Sequence, residues 1–311
     1  MGAYRAGVPD WTPLDLTVRN PFDGAGLAAF LALRAVPGVE VVDGSRYLRS
    51  AVLPGGPAVL RIELDEPAAA ALLSTAGDRP AAQRLVRRLV DADHDPYLSD
   101  SVLAQDPRLA DSVDRVPGIR LPGTVDGAEI LVRAILGQQV SVAAARTACA
   151  RLAQRWGEPL PGTLRVDGVD RLFPAPAALA GLTAPDIPGP GRRAESLIAA
   201  ARYLAAGDLV LAGRTVEELT ADLVARPGLG PWTAGYVAVR VLGATDVLLV
   251  GDLALRGGAR RLGLPDQPRA LAAHGARWAP FRSYAGLHLW RAAATPAQTD
   301  VAPAPDRTTS S

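Results

Sequence analysis

The chain has 311 residues, of which 49% are hydrophobic, and its formal net charge is +1. A chain of this length and composition can bury a large core and should divide into two or three globular domains. The small net charge provides no general attraction to nucleic acid, so any such binding must depend on local groups. No apolar run has membrane-spanning length, and residues 1–19 lack the apolar core of a secretory signal. We therefore expect a cytoplasmic protein that contacts no membrane.

Residues 14–92 are predicted to form a small antiparallel α+β domain. A helical pattern covers residues 24–35, and strand-like runs follow at residues 39–42, 47–52 and 59–64. Asp43-Gly44 and the turn at residues 54–57 are typical of the connections in β-hairpins. This pattern indicates a sheet of sequentially paired strands with helices packed against it.

The remainder of the chain has helical spacing almost throughout. Helices are predicted at residues 130–136, 141–156, 194–205, 216–225, 232–242 and 252–262. We divide this part into one helical domain made of residues 93–126 and 244–294 and a second made of residues 127–243. The predicted fold class is therefore α+β, with an N-terminal antiparallel β-sheet domain followed by two all-α domains.

Both ends of the chain are predicted to be disordered tails. Residues 1–13 and 295–311 show no apolar periodicity, and the second segment is rich in Pro, Ala, Thr and Ser. Such segments cannot bury enough apolar surface to offset the entropy lost on ordering.

The most informative segment is the turn at residues 227–230 (PGLG) and the helix predicted after it. Glycines let the backbone approach another molecule closely, and the N-terminus of the helix presents unpaired N–H groups that suit a phosphate. A glycine turn before a helix is also common without any ligand. Trp232 and Tyr236 are four residues apart and share one helix face. Asp252 follows an apolar run, so that two aromatic rings and one carboxylate could converge.

Four motifs in this order resemble those of the helix-hairpin-helix DNA glycosylases, and among them the alkylation-repair 3-methyladenine DNA glycosylase II family. The motifs are residues 120–123 (RLPG), 135–143 (ILGQQVSVA), 227–236 (PGLGPWTAGY) with 250–252 (VGD), and 278–285 (WAPFRSYA) with 287–290 (LHLW). The resemblance runs from about residue 14 to residue 294. It implies that the second helical domain contains the helix-hairpin-helix motif.

The resemblance assigns Asp252 as the catalytic carboxylate. Breaking an N-glycosidic bond builds positive charge on the sugar, and a fixed carboxylate stabilises that charge. Taken alone, Asp252 is equally a helix N-cap, and the two roles are compatible. Gly251 stands where the best-known relative has a second acid, which leaves Asp252 as the single carboxylate at that point.

A base must leave the duplex before it can be excised, and something must fill its place. The resemblance places this wedge at Gln139, where the best-known relatives have leucine; the alternative is an ordinary polar turn. The extruded base is expected to stack on a pocket made of Trp232, Tyr236, Trp290 and Phe30, because electron-rich rings attract a cationic base. The last two residues come from the resemblance, and core packing is the alternative role for Phe30.

DNA phosphates are expected at the hairpin and at the start of a neighbouring helix, on Gly228, Leu229, Gly230, Thr233, Arg192 and Arg193. Relatives often bind a monovalent cation at this hairpin through backbone carbonyls, which no side-chain pattern reveals. The three histidines and Cys149 lack metal-ligand spacing, and a single cysteine cannot hold an iron–sulfur cluster. We expect no cofactor and no metal bound by side chains.

The chain contains no lysine. Glycosylases that also cut the strand form a Schiff base through a lysine amine, and the resemblance places Trp232 at the position of that lysine. The sequence thus predicts a monomeric, monofunctional glycosylase that removes 3-methyladenine, and also 7-methylguanine, from double-stranded DNA. Two alternatives stay open: the same fold acting on hypoxanthine, uracil or an oxidised base, and a helix-hairpin-helix module that binds DNA without catalysis.

Overall fold

A computed structural model describes residues 10–74 and 77–294. The predicted C-terminal tail and residues 1–9 of the predicted N-terminal tail lie outside these residues. Thr12 and Pro13, which the sequence assigned to the N-terminal tail, instead belong to a strand that pairs with Leu72 and Ala71. Because backbone pairing orders Thr12 and Pro13, the predicted end of the N-terminal tail at residue 13 lies too far along the chain.

Five antiparallel strands form the N-terminal sheet, in the spatial order β1-β5-β4-β3-β2. The strands are β1 (Thr12–Leu14), β2 (Glu40–Asp43), β3 (Arg46–Leu53), β4 (Gly56–Glu63) and β5 (Ala69–Ser74). Each pair from β2 to β5 is consecutive in the chain, and β1 closes the far edge against β5. The predicted antiparallel α+β domain is thus confirmed.

Both faces of this sheet are covered. One face packs against α1 (Gly24–Arg34) and α2 (Arg79–Leu89) through residues such as Leu31, Leu60 and Val86. The other face packs against residues 160–172 of the helical region, which join Leu48, Val59 and Leu73 in a separate cluster. The N-terminal domain is therefore fastened to the helical region along the outer face of its sheet.

The rest of the described chain is helical, as predicted. Its α-helices are α3 (Pro96–Leu103), α4 (Ala110–Arg115), α5 (Gly127–Leu136), α6 (Val142–Trp156), α7 (Pro176–Ala180), α8 (Gly191–Ala206), α9 (Val216–Val224), α10 (Pro231–Val237), α11 (Leu253–Arg261), α12 (Pro268–Gly275) and α13 (Arg282–Ala294). The single helix predicted over residues 232–242 is instead α10 followed by a π-helical segment, Ala238–Leu242.

Two hydrophobic cores meet at α10. One core contains α5, α6, α8 and α9, and the other contains α11, α13 and the segment around Leu109 and Leu121. Trp232, Tyr236 and Val247 pack against both cores. Trp232 and Tyr236, two of the predicted pocket residues, therefore lie where the two helical cores meet.

Within residues 10–74 and 77–294, no helix has the length and apolar character needed to cross a membrane.

Candidate active site

The hairpin before α10 is held in shape by two glycines. Gly228 has a φ of 80°, a left-handed conformation that side chains disfavour, and a Cβ there would lie 1.9 Å from Ser196 Oγ. Gly230 is the residue before α10 and is exposed, and Pro231 takes the first helical position, where its missing N–H is not needed. These residues leave the N-terminus of α10 open at the surface.

The six residues predicted to hold phosphates differ in what they present. Gly228, Gly230 and Arg192 are exposed. Leu229 and Thr233 are only 4% and 1% exposed, so their side chains face the interior and only their backbone could reach a phosphate. Arg193 is half-buried and donates a hydrogen bond to the carbonyl of Gln138 at 2.5 Å. The phosphate assignment of these residues stays a prediction.

Gln139 lies exposed on the turn between α5 and α6, with a φ of 57°. The same turn ends at Ser141, whose hydroxyl caps α6 by accepting from the N–H of Ala144 at 3.2 Å. Val140 and Val142 beside it expose 39% and 43% of their surface. Gln139 therefore lies on an exposed turn, in the left-handed conformation and between exposed apolar side chains. This position is compatible with the predicted wedge but does not test it.

Gln138, which sequence reasoning left without a role, connects this turn to the hairpin. Its amide donates to the carbonyl of Gly228 at 2.9 Å and to the hydroxyl of Thr233 at 3.0 Å. Arg193 adds a third hydrogen bond by donating to the Gln138 carbonyl. Consecutive glutamines at a tight turn direct their side chains differently, which is a sequence signal that Gln138 and Gln139 have different roles. The partners of Gln138 could not be identified from the sequence, because they are 90 and 95 residues away.

The Asp252 carboxylate receives three N–H groups. Its Oδ1 accepts from the backbone N–H of Leu255 at 2.9 Å and from the Trp290 indole at 3.2 Å, and its Oδ2 accepts from the Trp232 indole at 2.9 Å. Asp252 is thus the N-cap of α11 and is held by both tryptophans as well. A carboxylate with several fixed donors keeps one orientation, which a role in charge stabilisation requires.

Of the four predicted pocket residues, Trp232 and Trp290 contact this carboxylate directly. The rings of Trp232 and Tyr236 are stacked at a centroid distance of 5.4 Å with 9° between their planes. Trp290 and Phe30 line the same narrow, mainly apolar cavity, with Leu121 and Leu287 among its other walls. Core packing and pocket lining are therefore not exclusive for Phe30, which is half-buried.

Two arginines that the sequence did not assign to the pocket contact its residues: Arg240 lines the cavity, and Arg34 lies over the ring of Phe30. The Arg34 guanidinium lies 3.7 Å from the centroid of the Phe30 ring, and that of Arg240 lies 5.3 Å from it. Arg240 also donates to the Tyr236 hydroxyl at 2.7 Å and to the carbonyls of Pro122 and Gly123. A sequence signal existed, since each arginine follows its aromatic partner by four residues on a helix.

These charges act on Tyr236. Burial alone would raise the pKa of its phenol, but the positive charges of Arg240, Arg34 and Arg133 outweigh burial and lower it. Burial also lowers the pKa of the Arg34 guanidinium. The pocket is accordingly a mainly apolar cavity with the buried Arg240 guanidinium in its wall.

The histidines and the cysteine lie elsewhere. His274 bonds to Asp106 at 2.6 Å, and the buried His288 bonds to Ser112 at 2.9 Å. Cys149 on α6 is buried in the core that also contains α5 and α8, and burial raises the pKa of its thiol to about 12. Across the described parts of the chain, no three His, Cys, Asp or Glu side chains are grouped to hold a metal ion.

Comparison with known proteins identifies two family regions. Residues 13–126 match the AlkA N-terminal domain, and residues 132–281 match the HhH-GPD superfamily of base excision DNA repair proteins. The fold is also that of a solved 3-methyladenine DNA-glycosylase from Archaeoglobus fulgidus. That structure has a TM-score of 0.76 and 20% identity over 91% of this chain and 98% of its own.

Two curated relatives are more similar in sequence. A probable bifunctional transcriptional activator/DNA repair enzyme AlkA of Mycobacterium tuberculosis is 41% identical over 280 residues, or 89% of this chain. The chain spans only 56% of that relative's length. DNA-3-methyladenine glycosylase 2 of Escherichia coli strain K12 is 36% identical over 288 residues, which cover 88% of this chain and 95% of the relative. The chain belongs to the DNA-3-methyladenine glycosylase II (AlkA) family of alkylation-repair DNA glycosylases.

Proposed function

We propose that the protein is a monofunctional DNA glycosylase of base excision repair. It hydrolyses the N-glycosidic bond of alkylated purines, 3-methyladenine and also 7-methylguanine, in double-stranded DNA and leaves an abasic site. The observation that carries this proposal is the Asp252 carboxylate, fixed by Trp232, Trp290 and the α11 N-terminus beside an aromatic cavity. Phosphate binding alone would need none of these three side chains, so a non-catalytic DNA-binding module is the weaker reading.

The proposed reaction uses what this geometry offers. As the bond between C1′ and the base nitrogen breaks, positive charge develops on the deoxyribose, and the fixed negative charge of Asp252 lowers the energy of that state. Water then adds to C1′ and loses a proton. A purine alkylated on a ring nitrogen is already cationic, so it departs as a neutral molecule without needing a strong general acid.

Strand cleavage is not part of the proposed activity. The chain has no lysine to form a Schiff base, and the indole of Trp232 occupies the predicted position of that amine and donates to Asp252 instead. The abasic product would therefore stay uncut until treated with alkali.

We further propose that Gly228, Gly230 and Arg192 bind DNA phosphates directly, and that Leu229 and Thr233 contribute through their backbone. Gln139 is proposed as the wedge that fills the vacated space. At the hairpin, the Gly228 carbonyl uses one lone pair for Gln138, and its second lone pair fits a monovalent cation bound by backbone oxygens. The reaction needs no other cofactor. We also propose that the protein acts as a monomer on cytoplasmic DNA.

The test is the release of free bases from methylated duplex DNA, with products resolved by chromatography. Wild-type protein is expected to release 3-methyladenine, and Asp252→Asn, which keeps the shape of the cap but removes the charge, should release it at least about 100-fold more slowly. Gly251→Asn is the matched control, because Gly251 is exposed and a Cβ there meets no atom within 4 Å. If the wild type binds duplex DNA but releases no methylated base, the chain is a DNA-binding module or excises another lesion.

A further inference from the structure

A cleft lies between the end of α1, strand β2 and helix α6, and its volume is about 270 Å³. This is the volume of about nine water molecules at roughly 30 Å³ each, and it admits one sugar–phosphate unit of a nucleic acid strand. Its walls are mainly small or apolar residues such as Ala32, Ala35 and Val42, and its charged members are Glu40 and Arg146. We call it the α1–α6 cleft.

The two charged residues of the cleft differ in what they can bind. The Glu40 carboxylate is buried and pairs with Arg49 and Arg133, each at 3.1 Å, so that its charge is already compensated. Arg146 is exposed and donates its Nε–H to the carbonyl of Ala35 at 2.6 Å. Within residues 10–74 and 77–294, its two terminal nitrogens form no hydrogen bond and no ion pair. Four of the five N–H donors of this guanidinium are therefore available to a ligand.

Arg146 has two ordinary explanations. Exposed arginines are usually solvated, and a cation at the C-terminus of a helix interacts favourably with the helix dipole. Ala35 is the C-cap residue of α1, so the second explanation applies here. Neither role uses the terminal nitrogens, whereas the bond to Ala35 fixes the orientation of the guanidinium. An oriented guanidinium with both terminal nitrogens free matches two oxygens of one phosphate.

The cleft adjoins the turn that bears Gln139. Helix α6 begins at Val142, directly after this turn, and Arg146 lies four residues further on the same helix face. Before the turn, the side chain of Gln138 bonds to the hairpin at Gly228. Gln139 thus stands between a residue that contacts the hairpin and a helix that leads to the cleft.

The shape of a duplex relates these two positions to its two strands. A groove is bounded by both backbones, so a side chain that enters through a groove has one strand on each side. In the proposed complex, the hairpin binds a phosphate of the lesion strand. A phosphate contact beyond Gln139 then meets the other strand. Because the net charge of the chain is only +1, DNA affinity depends on such local contacts.

We propose that the α1–α6 cleft binds a phosphate of the strand opposite the lesion, through the terminal nitrogens of Arg146. The inference rests on the proposed glycosylase function. The small apolar residues of the cleft fit the adjoining deoxyribose. A small-molecule site would need several convergent polar side chains, and this cleft offers one that is unpaired. Contacts with both strands hold the duplex on either side of Gln139 while the damaged base leaves the stack.

The first experiment measures the affinity for a duplex oligonucleotide that contains one tetrahydrofuran abasic-site analogue, by fluorescence anisotropy over a range of KCl concentrations. Loss of one phosphate contact reduces the slope of log affinity against log salt by about 0.9, which corresponds to about eightfold weaker binding at about 0.1 M salt. Arg146→Gln should show both effects, and Arg146→Lys, which keeps the charge, should retain most of the slope. Thermal melting of each variant monitors folding.

Arg151→Gln is the matched control for the loss of charge. Arg151 is another exposed arginine of α6, and it does not line the cleft. Its replacement should leave the slope unchanged.

A second experiment identifies the strand. A methylphosphonate linkage removes the charge of one phosphate and is placed in turn at each position of either strand. One linkage in the strand opposite the lesion should weaken binding by the wild-type protein but should not weaken binding by Arg146→Gln any further. The scan with wild-type protein does not depend on the stability of the variant.

Three results would overturn the inference. In the first, Arg146→Gln leaves the slope unchanged, which assigns Arg146 a structural role. In the second, Arg151→Gln reduces the slope by the same amount, which assigns the effect to overall charge. In the third, the linkage coupled to Arg146 lies in the lesion strand. A wild-type protein that binds this duplex but releases no methylated base contradicts the proposed glycosylase function instead, whatever the slopes are.

Discussion

Asp252 is the N-cap of α11 and also the proposed catalytic carboxylate. Its position before a predicted helix allowed the capping role to be predicted from sequence, and the resemblance to the family implied the catalytic role. The two indole donors could not be predicted, since Trp232 and Trp290 lie 20 and 38 residues from Asp252 and only the packing of α10, α11 and α13 brings them together. Arg34 escaped notice for a related reason: a charged residue on a helix is usually solvated.

Trp290→Phe should slow base excision by at least about tenfold. The ring remains to line the pocket, but the carboxylate of Asp252 loses a charge-assisted hydrogen bond, a contribution of about 1.5–3 kcal/mol. Single-turnover rates at saturating enzyme measure this effect without interference from product release. Trp156→Phe is the control, because the Trp156 indole N–H is buried without a hydrogen-bond partner. Equal rates for the two variants would show that the Trp290 N–H does not position Asp252.

At the scale of secondary structure, strongly patterned elements were predicted closely and weakly patterned ones were not. Strands β2, β3 and β4 and helices α6, α8 and α9 lie within a few residues of their predicted bounds. Strand β5 was missed because its sequence, AAALLS, has no alternation of apolar and polar residues, and it is a strand because it pairs with both β1 and β4. The π-helical segment after α10 has no sequence signal either.

The hairpin before α10 yields a prediction that separates folding from DNA binding. Gly228→Ala should lower Tm by several degrees, because a left-handed alanine costs about 1–2 kcal/mol and its Cβ would collide with Ser196. Gly230→Ala should melt like the wild type, since its φ is −87° and a Cβ there meets no protein atom within 4 Å. In a fluorescence binding assay, both variants should bind duplex DNA more weakly. A Gly228→Ala protein with wild-type Tm and affinity would contradict this account of the hairpin.

Across the whole molecule, a buried group of charges joins the N-terminal sheet to helix α5. Glu40 on β2 and Arg49 on β3 pair with each other and with Arg133 and Glu129 on α5. The Tyr47 hydroxyl donates to Glu40 at 2.7 Å. Three-dimensional proximity of this kind cannot be predicted from one sequence, because Arg49 and Glu129 are 80 residues apart.

This group predicts how stability depends on pH. Burial would raise the pKa of Glu40, but Arg133 and Arg49 outweigh burial and lower it from 4.5 to about 2. A lowered pKa means that the unfolded chain takes up the proton at higher pH than the folded one. The stabilisation is therefore present above about pH 4.5 and is lost as the pH falls towards about 2.

Glu40→Gln should accordingly lower the free energy of unfolding at pH 7 by about 3–5 kcal/mol, because it leaves buried arginines undercompensated. The deficit relative to the wild type should shrink between pH 4.5 and pH 2.5. Urea denaturation at several pH values measures both effects. Glu63→Gln, which breaks the exposed pair with Arg46, should change stability by less than about 1 kcal/mol. A deficit that stays constant down to pH 2.5 would contradict the assignment to Glu40 ionisation.

The bridge made by Gln138 has a consequence for how lesions are found. Its side chain holds the turn that bears Gln139 and the hairpin at Gly228 in one fixed relative position. In the proposed complex, the protein therefore sets the spacing between the inserted Gln139 side chain and the phosphate bound at the hairpin. The double helix must distort to match this spacing. The energy of that distortion depends on local stacking. Sites with weakly stacked bases would need the least energy to adopt the fixed spacing. The protein would therefore first recognise how easily the duplex deforms, before any base reaches the pocket.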